Sequence, residues 1–482
     1  MKPPVVLLVK SRSLSSKVTG ITPPLGLLYI AAYLKKHFRA QVRVIDAAFE
    51  ADPVESVLKS VKELSPGILG ISSLTAESFL AHRISRAVKT ACPPMPVIIG
   101  GPHPSSEPSW ALEDKNIDAA VIGEGEETFY ELVRLVHEEG ENWKKSLNKI
   151  AGIAFIEDGR LNVTGPREPI QDLDSLPFPA WDIIDYRRFW KRSGMATLGA
   201  RPYFTIFISR GCPYQCVFCH KLFGKTFRHR SPENIADEIS GLLKLGAGHI
   251  EVLDDIANFK KEHFNSVLET LLDRGLHPVL SFPNAIRADI MDKDSVDLLK
   301  KTGAGEVSVA VETASVRLQK LLKKNLNLQK TNETIDLLAK RRILTRGFFM
   351  LGFPTETEEE MRSTIRFAHK SNLHIALFFT PNPYRNTELY DMFVKTGKMP
   401  KDFKSIDFEY YGAPFNASEV PDNLYRRLYK WAYYGFYFNP ARAWRIARDR
   451  PVLSDIPMRV YSLLRNVASF RRLNESNNQS VK

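Results

Sequence analysis

Four cysteines in 482 residues are too few and too unevenly placed for a disulfide framework. Three of them, Cys212, Cys216 and Cys219, fall within eight residues, whereas a secreted scaffold spreads its pairs along the chain. No apolar run approaches the roughly 18 residues that a membrane span requires. The opening MKPPVVLLVK carries only five apolar residues before a lysine, which reads as a first strand and not as a signal sequence. These absences predict a cytoplasmic protein in a reducing compartment. A dinucleotide turn is also missing. After the first apolar run the chain has Ser11 to Thr22 and then Pro23-Pro24-Leu25-Gly26, where G-x-G-x-x-G would have to stand. Positive charge is not spread evenly either. The net charge is +12, and residues 423–473 hold eleven Lys/Arg against two Asp/Glu, so the other 431 residues carry 12 − 9 = +3.

The rest of the composition, 44% hydrophobic and 25% charged, is that of a globular chain with room for two or three domains. Over the first 140 residues, apolar runs at 5–10, 42–47, 68–73, 96–101 and 119–126 alternate with stretches of helical spacing such as 25–38 and 56–64. That alternation predicts a doubly wound parallel sheet, which binds ligands at the carboxyl ends of its strands. Those ends carry Ser72-Ser73-Leu74-Thr75, Gly100-Gly101-Pro102-His103 and Gly123-Glu124-Gly125-Glu126. Residues 150–164 read as a hairpin turning at Asp158-Gly159, and the proline-rich stretch 170–185 as a linker. A second series of strand-like runs follows at 204–210, 249–255, 278–282, 306–312, 346–351 and 375–379, with helical segments between them. One of these is 231–246, with Ser231 as N-cap and Pro232 behind it. Six such units fit a partial or complete β/α barrel, and spacing alone leaves an open sheet possible.

The first run of the second series leads directly into RGCPYQCVFCHK. Thiolates three and then two residues apart on one short loop can turn toward a common point. Three thiolates on a [4Fe–4S] cluster leave one iron free for a small molecule. A Cys₃His zinc site, completed by His220 or His229, is the competing reading of the same residues. Cys92 stands apart as an ordinary cysteine.

CxxxCxxC with Phe218 before the last cysteine resembles the radical S-adenosylmethionine (SAM) superfamily. PPLGLLYIAAYL, GGPHPSS, GEGEETFYEL and LDSLPFPAW resemble the amino-terminal half of its cobalamin-binding class; VAVETAS and MLGFPTETEEEM resemble the catalytic half. The resemblance covers nearly the whole chain. It implies an α/β architecture: a Rossmann-like cobalamin-binding domain over 1–145, a hairpin and linker over 146–195, a partial (β/α)6 radical SAM barrel over 196–400, and a helical basic region over 401–482. It implies three cofactors: a [4Fe–4S] cluster on Cys212, Cys216 and Cys219, SAM, and cobalamin. Phe218 would lie near the adenine of SAM, Asp254 and Asp255 at its methionyl amine, Arg287 at its carboxylate and Glu312 at its ribose. Gly352-Phe353-Pro354 would form a turn beside the adenine. Cobalamin would lie along 72–75, Gly100, Gly101, His103 and 123–126, with Pro24, Leu25 and Gly26 facing it across the domain junction. The D-x-H-x-x-G motif of ordinary cobalamin domains is missing, which leaves His103 as the one histidine in these loops to weigh as an axial ligand. Arg385 and Asn386 replace the Pro-Gly usual in relatives, so no relative's substrate transfers.

The implied reaction is reductive cleavage of SAM to a 5′-deoxyadenosyl radical, followed by methylation of an unactivated carbon. A radical cyclase or oxidase acting on a lipid or tetrapyrrole is the alternative with the same cofactors. A non-catalytic metal-binding docking module is the alternative of another class. The expected partners are a small, apolar substrate and an electron donor such as flavodoxin or ferredoxin. The interleaved arginines and aromatics of residues 423–473 suit a cap on the barrel or peripheral contact with the inner face of a membrane, and nucleic acid ranks third. The polar final ten residues read as disordered.

Overall fold

The structure, a computed structural model, describes residues 2–13, 21–196, 202–220, 222–399 and 416–449. The amino-terminal sheet comprises β1 (Val5–Lys10), β2 (Gln41–Asp46), β3 (Ile68–Ser72), β4 (Val97–Gly100), β5 (Ala119–Val121), β6 (Ile153–Glu157) and β7 (Arg160–Val163), in the order β2-β1-β3-β4-β5-β6-β7. The first five strands are parallel. Their apolar runs are continuous because both faces are covered: Val6 and Leu8 enter one core, Leu7 and Val9 the other. The hairpin turns where the sequence predicts, with φ of 50° at Asp158 and 74° at Gly159. Its first strand, β6, pairs antiparallel with β5 and so extends the sheet.

The second sheet is an arc of six parallel strands, β8 (Tyr203–Ile206), β11 (His249–Val252), β12 (Val279–Ile286), β13 (Ala304–Glu312), β14 (Leu344–Met350) and β15 (Ile375–Phe379). Neighbours in the arc are consecutive in this series, and β15 and β8 remain its two edges, so the barrel is partial. The short pair β9 (Ser209–Arg210) and β10 (Arg228–His229) frames the cysteine loop at the carboxyl end of β8. Helices begin where side chains can satisfy their first N–H groups. Ser231 Oγ accepts from Asn234 N–H ahead of Pro232–Lys244, and Thr357 with Glu360 forms a capping box ahead of Glu358–Lys370.

The open edge at β15 is covered by the helix Asp422–Tyr437. Its tyrosines at 425, 429, 433 and 437 recur every four residues and so share one face. Tyr429 and Tyr433 hydroxyls donate to the Phe378 carbonyl at 2.5 and 3.0 Å, and Tyr437 donates to that of Ala376 at 2.9 Å. Tyr433 and Tyr437 also accept from the Phe378 and Ala376 N–H groups, at 3.2 and 3.3 Å. Hydroxyls therefore take the place of a seventh strand on main-chain groups that would otherwise be free. Arg442 then fastens the helix Pro440–Asp449: its guanidinium donates to the carbonyls of Phe436, His369, Ser371 and Leu373. The cap is helical, as the sequence predicts. The remainder of the basic tail, the polar terminus and residues 401–415 lie outside the described residues.

The two sheets are joined beside the cysteine loop. Arg210, buried between the rings of Tyr29 and Phe223, reaches Glu126 at 2.6 Å and Glu124 at 3.7 Å. Arg228 reaches Glu124 at 2.7 Å.

Candidate functional site

The cysteine loop can close because of Gly211. Its φ is +84°, and a Cβ there would stand 2.2 Å from the Thr226 carbonyl oxygen, so no other residue allows the two ends of the loop to approach. Cys212 N–H donates to Gly224 O at 3.2 Å and Cys219 N–H to Cys216 O at 3.2 Å, which turns the loop back on itself. The thiols oppose one another's ionisation: Cys219 is pushed up to about 12, first by burial and then by Cys216, Asp255 and Cys212. Among the described residues no group of three or more His, Cys, Asp or Glu stands at metal-binding geometry. Both histidines offered for a zinc site have other neighbours. His220 Nδ1 lies 2.7 Å from Ser106 Oγ, and the His229 ring lies 3.9 Å from that of His263, tilted by 37°. The donor set at the loop is three thiols, which suits a cluster with one open iron.

Several of the expected SAM residues gather around the loop. Phe218 packs with Phe353 at 6.4 Å. Gly352 takes φ +103°, and the buried Glu356 accepts from Gly352 N–H at 2.6 Å and Phe353 N–H at 3.1 Å, which fixes the Gly352-Phe353-Pro354 turn. Burial pushes Glu356 up to about 8 despite those bonds. Glu312 ends β13 at φ 64° beside a register shift, is 7% exposed, and meets Lys324 at 3.5 Å. Burial raises its pKa and Lys324 opposes the rise. A non-glycine residue held in the left-handed region at a strand end is the kind of backbone strain that accumulates at working sites. Asp255 is exposed yet hemmed in by protein, and its carboxyl rises to about 6 through burial.

Two expected residues are engaged elsewhere. Asp254 is 2% exposed; it accepts from Ile208 N–H at 2.9 Å and from the Ser209 hydroxyl, and so fixes the entry to the cysteine loop. Burial lifts it to about 7, against those same bonds. Arg287 pairs with Asp289 at 2.9 Å, donates to the carbonyls of Lys324 and Asn325 and lies 4.0 Å over the Tyr214 ring.

A cavity of about 660 Å³ opens between the two sheets. Cys216, Cys219 and His220 line it from the barrel, Ser105, Ser106, Gly123 and Glu124 from the amino-terminal sheet, and Asn386 and Thr387 from the loop after β15.

Residues 12–133 match the B12 binding domain family and residues 206–368 the radical SAM superfamily. An uncharacterized methyltransferase of Pyrococcus horikoshii is 30% identical over 445 residues, 90% of this chain and 92% of the relative. This chain belongs to the cobalamin-binding class of the radical SAM superfamily. An anaerobic magnesium-protoporphyrin IX monomethyl ester cyclase of Rubrivivax gelatinosus is 28% identical, over 82% of this chain and 70% of the relative. The fold is that of the radical S-adenosylmethionine methyltransferase TsrM of Kitasatospora setae, with a TM-score of 0.68 at 19% identity, over 82% of this chain and 77% of that one. The radical SAM class brings a [4Fe–4S] cluster and SAM as cofactors, and the B12 binding domain brings cobalamin.

Within this radical SAM chain the expected cobalamin loops divide. Gly101 has φ +93°, and a Cβ there would stand 3.0 Å from Ser72 Oγ and 3.1 Å from Ser73 O, so the turn needs glycine. Gly123 has φ +80° and donates its N–H to Ser105 Oγ at 3.0 Å. Ser73 and Thr75 are buried, and Ser72 and Gly100 lie where β3 and β4 end. Leu74 is 42% exposed. Leu25 is committed to the barrel core and Pro24 is buried, while Gly26 is exposed. His103 is not brought to the cavity wall. It is fully buried, with its ring edge-on to Trp110 at 4.9 Å and to His82 at 6.2 Å. Burial, and then His82, lowers its pKa to about 4. Glu124 and Glu126 turn inward to the two arginines at the junction, and Gly125 is packed so closely that a Cβ would meet Ile30 at 2.9 Å.

Sequence reasoning missed Ser105, Ser106, Asn386 and Arg210. Asn386, at φ 61°, donates to the Ser106 carbonyl, and Arg385 stands 3.9 Å from Glu107. The Arg-Asn that replaces Pro-Gly thus ties the barrel to the amino-terminal sheet. The departure from the family pattern is the sequence signal for this contact.

Proposed function

We propose that this enzyme methylates an unactivated carbon of a small apolar molecule, using SAM and cobalamin together. The observation that carries the reading is the shared cavity, lined by cluster thiols on one side and by the turns after β4 and β5 on the other. Cys212, Cys216 and Cys219 would hold the cluster. Phe218, Asp255, Glu312 and Gly352-Phe353-Pro354 would hold SAM, with Asp254, Arg287 and Glu356 positioning the strand ends around them. The turns at 72–75, 100–101 and 123, with Ser105 and Ser106, would hold cobalamin. When bound, these groups supply the electron that cleaves SAM, the radical that takes a hydrogen atom and the methyl group that replaces it. The protein would fix the distance between the two sites through Arg210 and Arg228 at the junction. In this reading residues 1–145 and the hairpin serve cobalamin, residues 196–400 the radical, and the helices Asp422–Tyr437 and Pro440–Asp449 cap the barrel. A flavodoxin or ferredoxin would supply the electron, and a peripheral position on the inner face of a membrane would bring the enzyme to an apolar substrate.

The test is anaerobic reconstitution of the full chain, followed by reductant and methyl-labelled SAM with lipid and pigment extracts. The expected result is 5′-deoxyadenosine together with label in a product heavier by one methyl group. The likeness to the cyclase of Rubrivivax gelatinosus supports a second reading, in which the product has lost hydrogens or gained oxygen and carries no label. Cys216→Ala is expected to lose the visible absorption of the cluster and keep that of cobalamin. A wild-type chain that stays colourless after reconstitution sinks both readings.

A further inference from the structure

The helix Asp422–Tyr437 has two unlike faces. The tyrosine face is spent on the barrel edge. The opposite face carries Arg427, Trp431, Tyr434 and Phe438, spaced four, three and four residues apart and so aligned in one stripe. Trp431 is 37% exposed, Tyr434 40% and Phe438 80%; Trp444 on the next helix is 69% exposed. Phe438 and Trp444 are the two most exposed aromatic side chains among the described residues. Arg426 and Lys430 flank the stripe, and Arg448 follows Trp444. Asp422 and Asp449 are the acids of these two helices, and Asp449 is already paired with Arg448 at 2.6 Å. The charge continues along the chain, with five Arg against one Asp over residues 450–473.

Large exposed aromatics need an apolar partner, and a cationic rim needs an anionic one. A second copy of the same face would satisfy the aromatics only by setting arginine against arginine across a two-fold axis. A bilayer with acidic headgroups satisfies both demands at one depth, because Trp and Tyr settle at the headgroup boundary and Arg and Lys meet the surface charge. We infer that the outer face of Asp422–Asp449 is a docking surface for an anionic membrane, with Phe438 and Trp444 entering the interface and Arg426, Arg427 and Lys430 contacting headgroups. This extends the peripheral position proposed above. It holds whether the product is a methylated or a cyclised molecule.

The experiment is co-sedimentation of the full-length protein with phosphatidylcholine vesicles, with and without about a third phosphatidylglycerol, at low and high salt. The expected result is binding to the acidic vesicles alone, weakened by salt. F438A/W444A and R427E/K430E are each expected to lower the partition coefficient about tenfold or more, the first at all salt concentrations and the second mainly at low salt. Both variants should keep the wild-type melting temperature and the wild-type rate of 5′-deoxyadenosine formation. Failure of methyl transfer alone would therefore leave this result standing. The proposal is overturned if the wild-type protein stays in the supernatant, if both variants bind as wild type does, or if F438A/W444A converts a dimer into a monomer while vesicle binding is unchanged. That last outcome would assign the face to a second copy of the chain.

Discussion

Arg210 is where the reasoning about the domain junction can be tested most sharply. Its guanidinium is 3% exposed, lies between the rings of Tyr29 and Phe223, and meets Glu126 at 2.6 Å. It stands two residues before Cys212, so the same backbone that presents the first thiol is held to the amino-terminal sheet. Arg210→Met keeps the length and the contact with both rings and removes only the charge and its donors. Glu126, 5% exposed, is then left without its arginine, while Glu124 keeps Arg228 at 2.7 Å. Removing one partner of a buried pair costs ~3–5 kcal/mol, and the remaining Arg228 places this case near the lower figure. Restoring neutrality with Glu126→Gln should recover part of the loss, with a coupling of about 1.5 kcal/mol or more between the two substitutions. Urea unfolding of wild type, R210M, E126Q and the double variant measures it. Limited proteolysis between residues 186 and 202 should show faster cleavage in R210M alone. Unfolding of R210M within about 1 kcal/mol of wild type, or simple addition of the two single losses, would show that Arg210 and Glu126 do not hold the junction.

Tyr437→Phe removes the hydroxyl that serves both main-chain groups of Ala376, and should cost about 1–2 kcal/mol with faster hydrogen exchange at that amide. His103→Phe tests a buried neutral histidine. A pKa lowered to about 4 means that the native state resists a proton the unfolded chain accepts near 6.5, so its contribution is complete above that value and is lost as the pH falls. Wild type should lose about 2 kcal/mol more than the variant between pH 7.5 and 5, read from paired urea curves, and equal losses would show that the ring is not so shielded. Gly101→Ala places a Cβ about 3 Å from Ser72 and Ser73 in a backbone region that disfavours it, and should cost roughly 1–2 kcal/mol and lower the cobalamin retained per chain. Unchanged visible absorption per chain would remove that turn from the cobalamin site.

The strands were legible because burial on both faces leaves an uninterrupted apolar run, and each of the eleven runs is a strand in one of the two sheets. The cysteine loop was legible because its spacing is local. What spacing could not show was direction. Glu124 and Glu126 sit in a cofactor-type loop, yet they turn to arginines 84 or more residues away, a choice made by tertiary contact alone. Spacing places Asp254 at a strand end but does not show that its carboxylate accepts from Ile208 N–H and the Ser209 hydroxyl at the entry to the cysteine loop. His103 follows a Gly-Gly turn suited to ligand approach, but it lies in the short helix Pro102–Ser106 with its ring buried edge-on to Trp110 of the next helix, Pro108–Ala111. In the tail, the four-residue recurrence of tyrosine at 425, 429, 433 and 437 marks one helical face beneath the excess of positive charge.

The hydroxyl rungs along β15 have a consequence for how the chain is made. The edge strand ends at Phe379, and the helix that covers it begins at Asp422, 422 − 379 = 43 residues later. During synthesis the ribosome delivers a nearly complete sheet whose last strand has no cover until that stretch has followed. In that interval the nascent edge can recruit any extended segment that passes. A chain interrupted anywhere between these two points would hold every residue proposed above for a cofactor and still be prone to stack edge to edge. Truncations meant to isolate the catalytic barrel should therefore be cut after Tyr437.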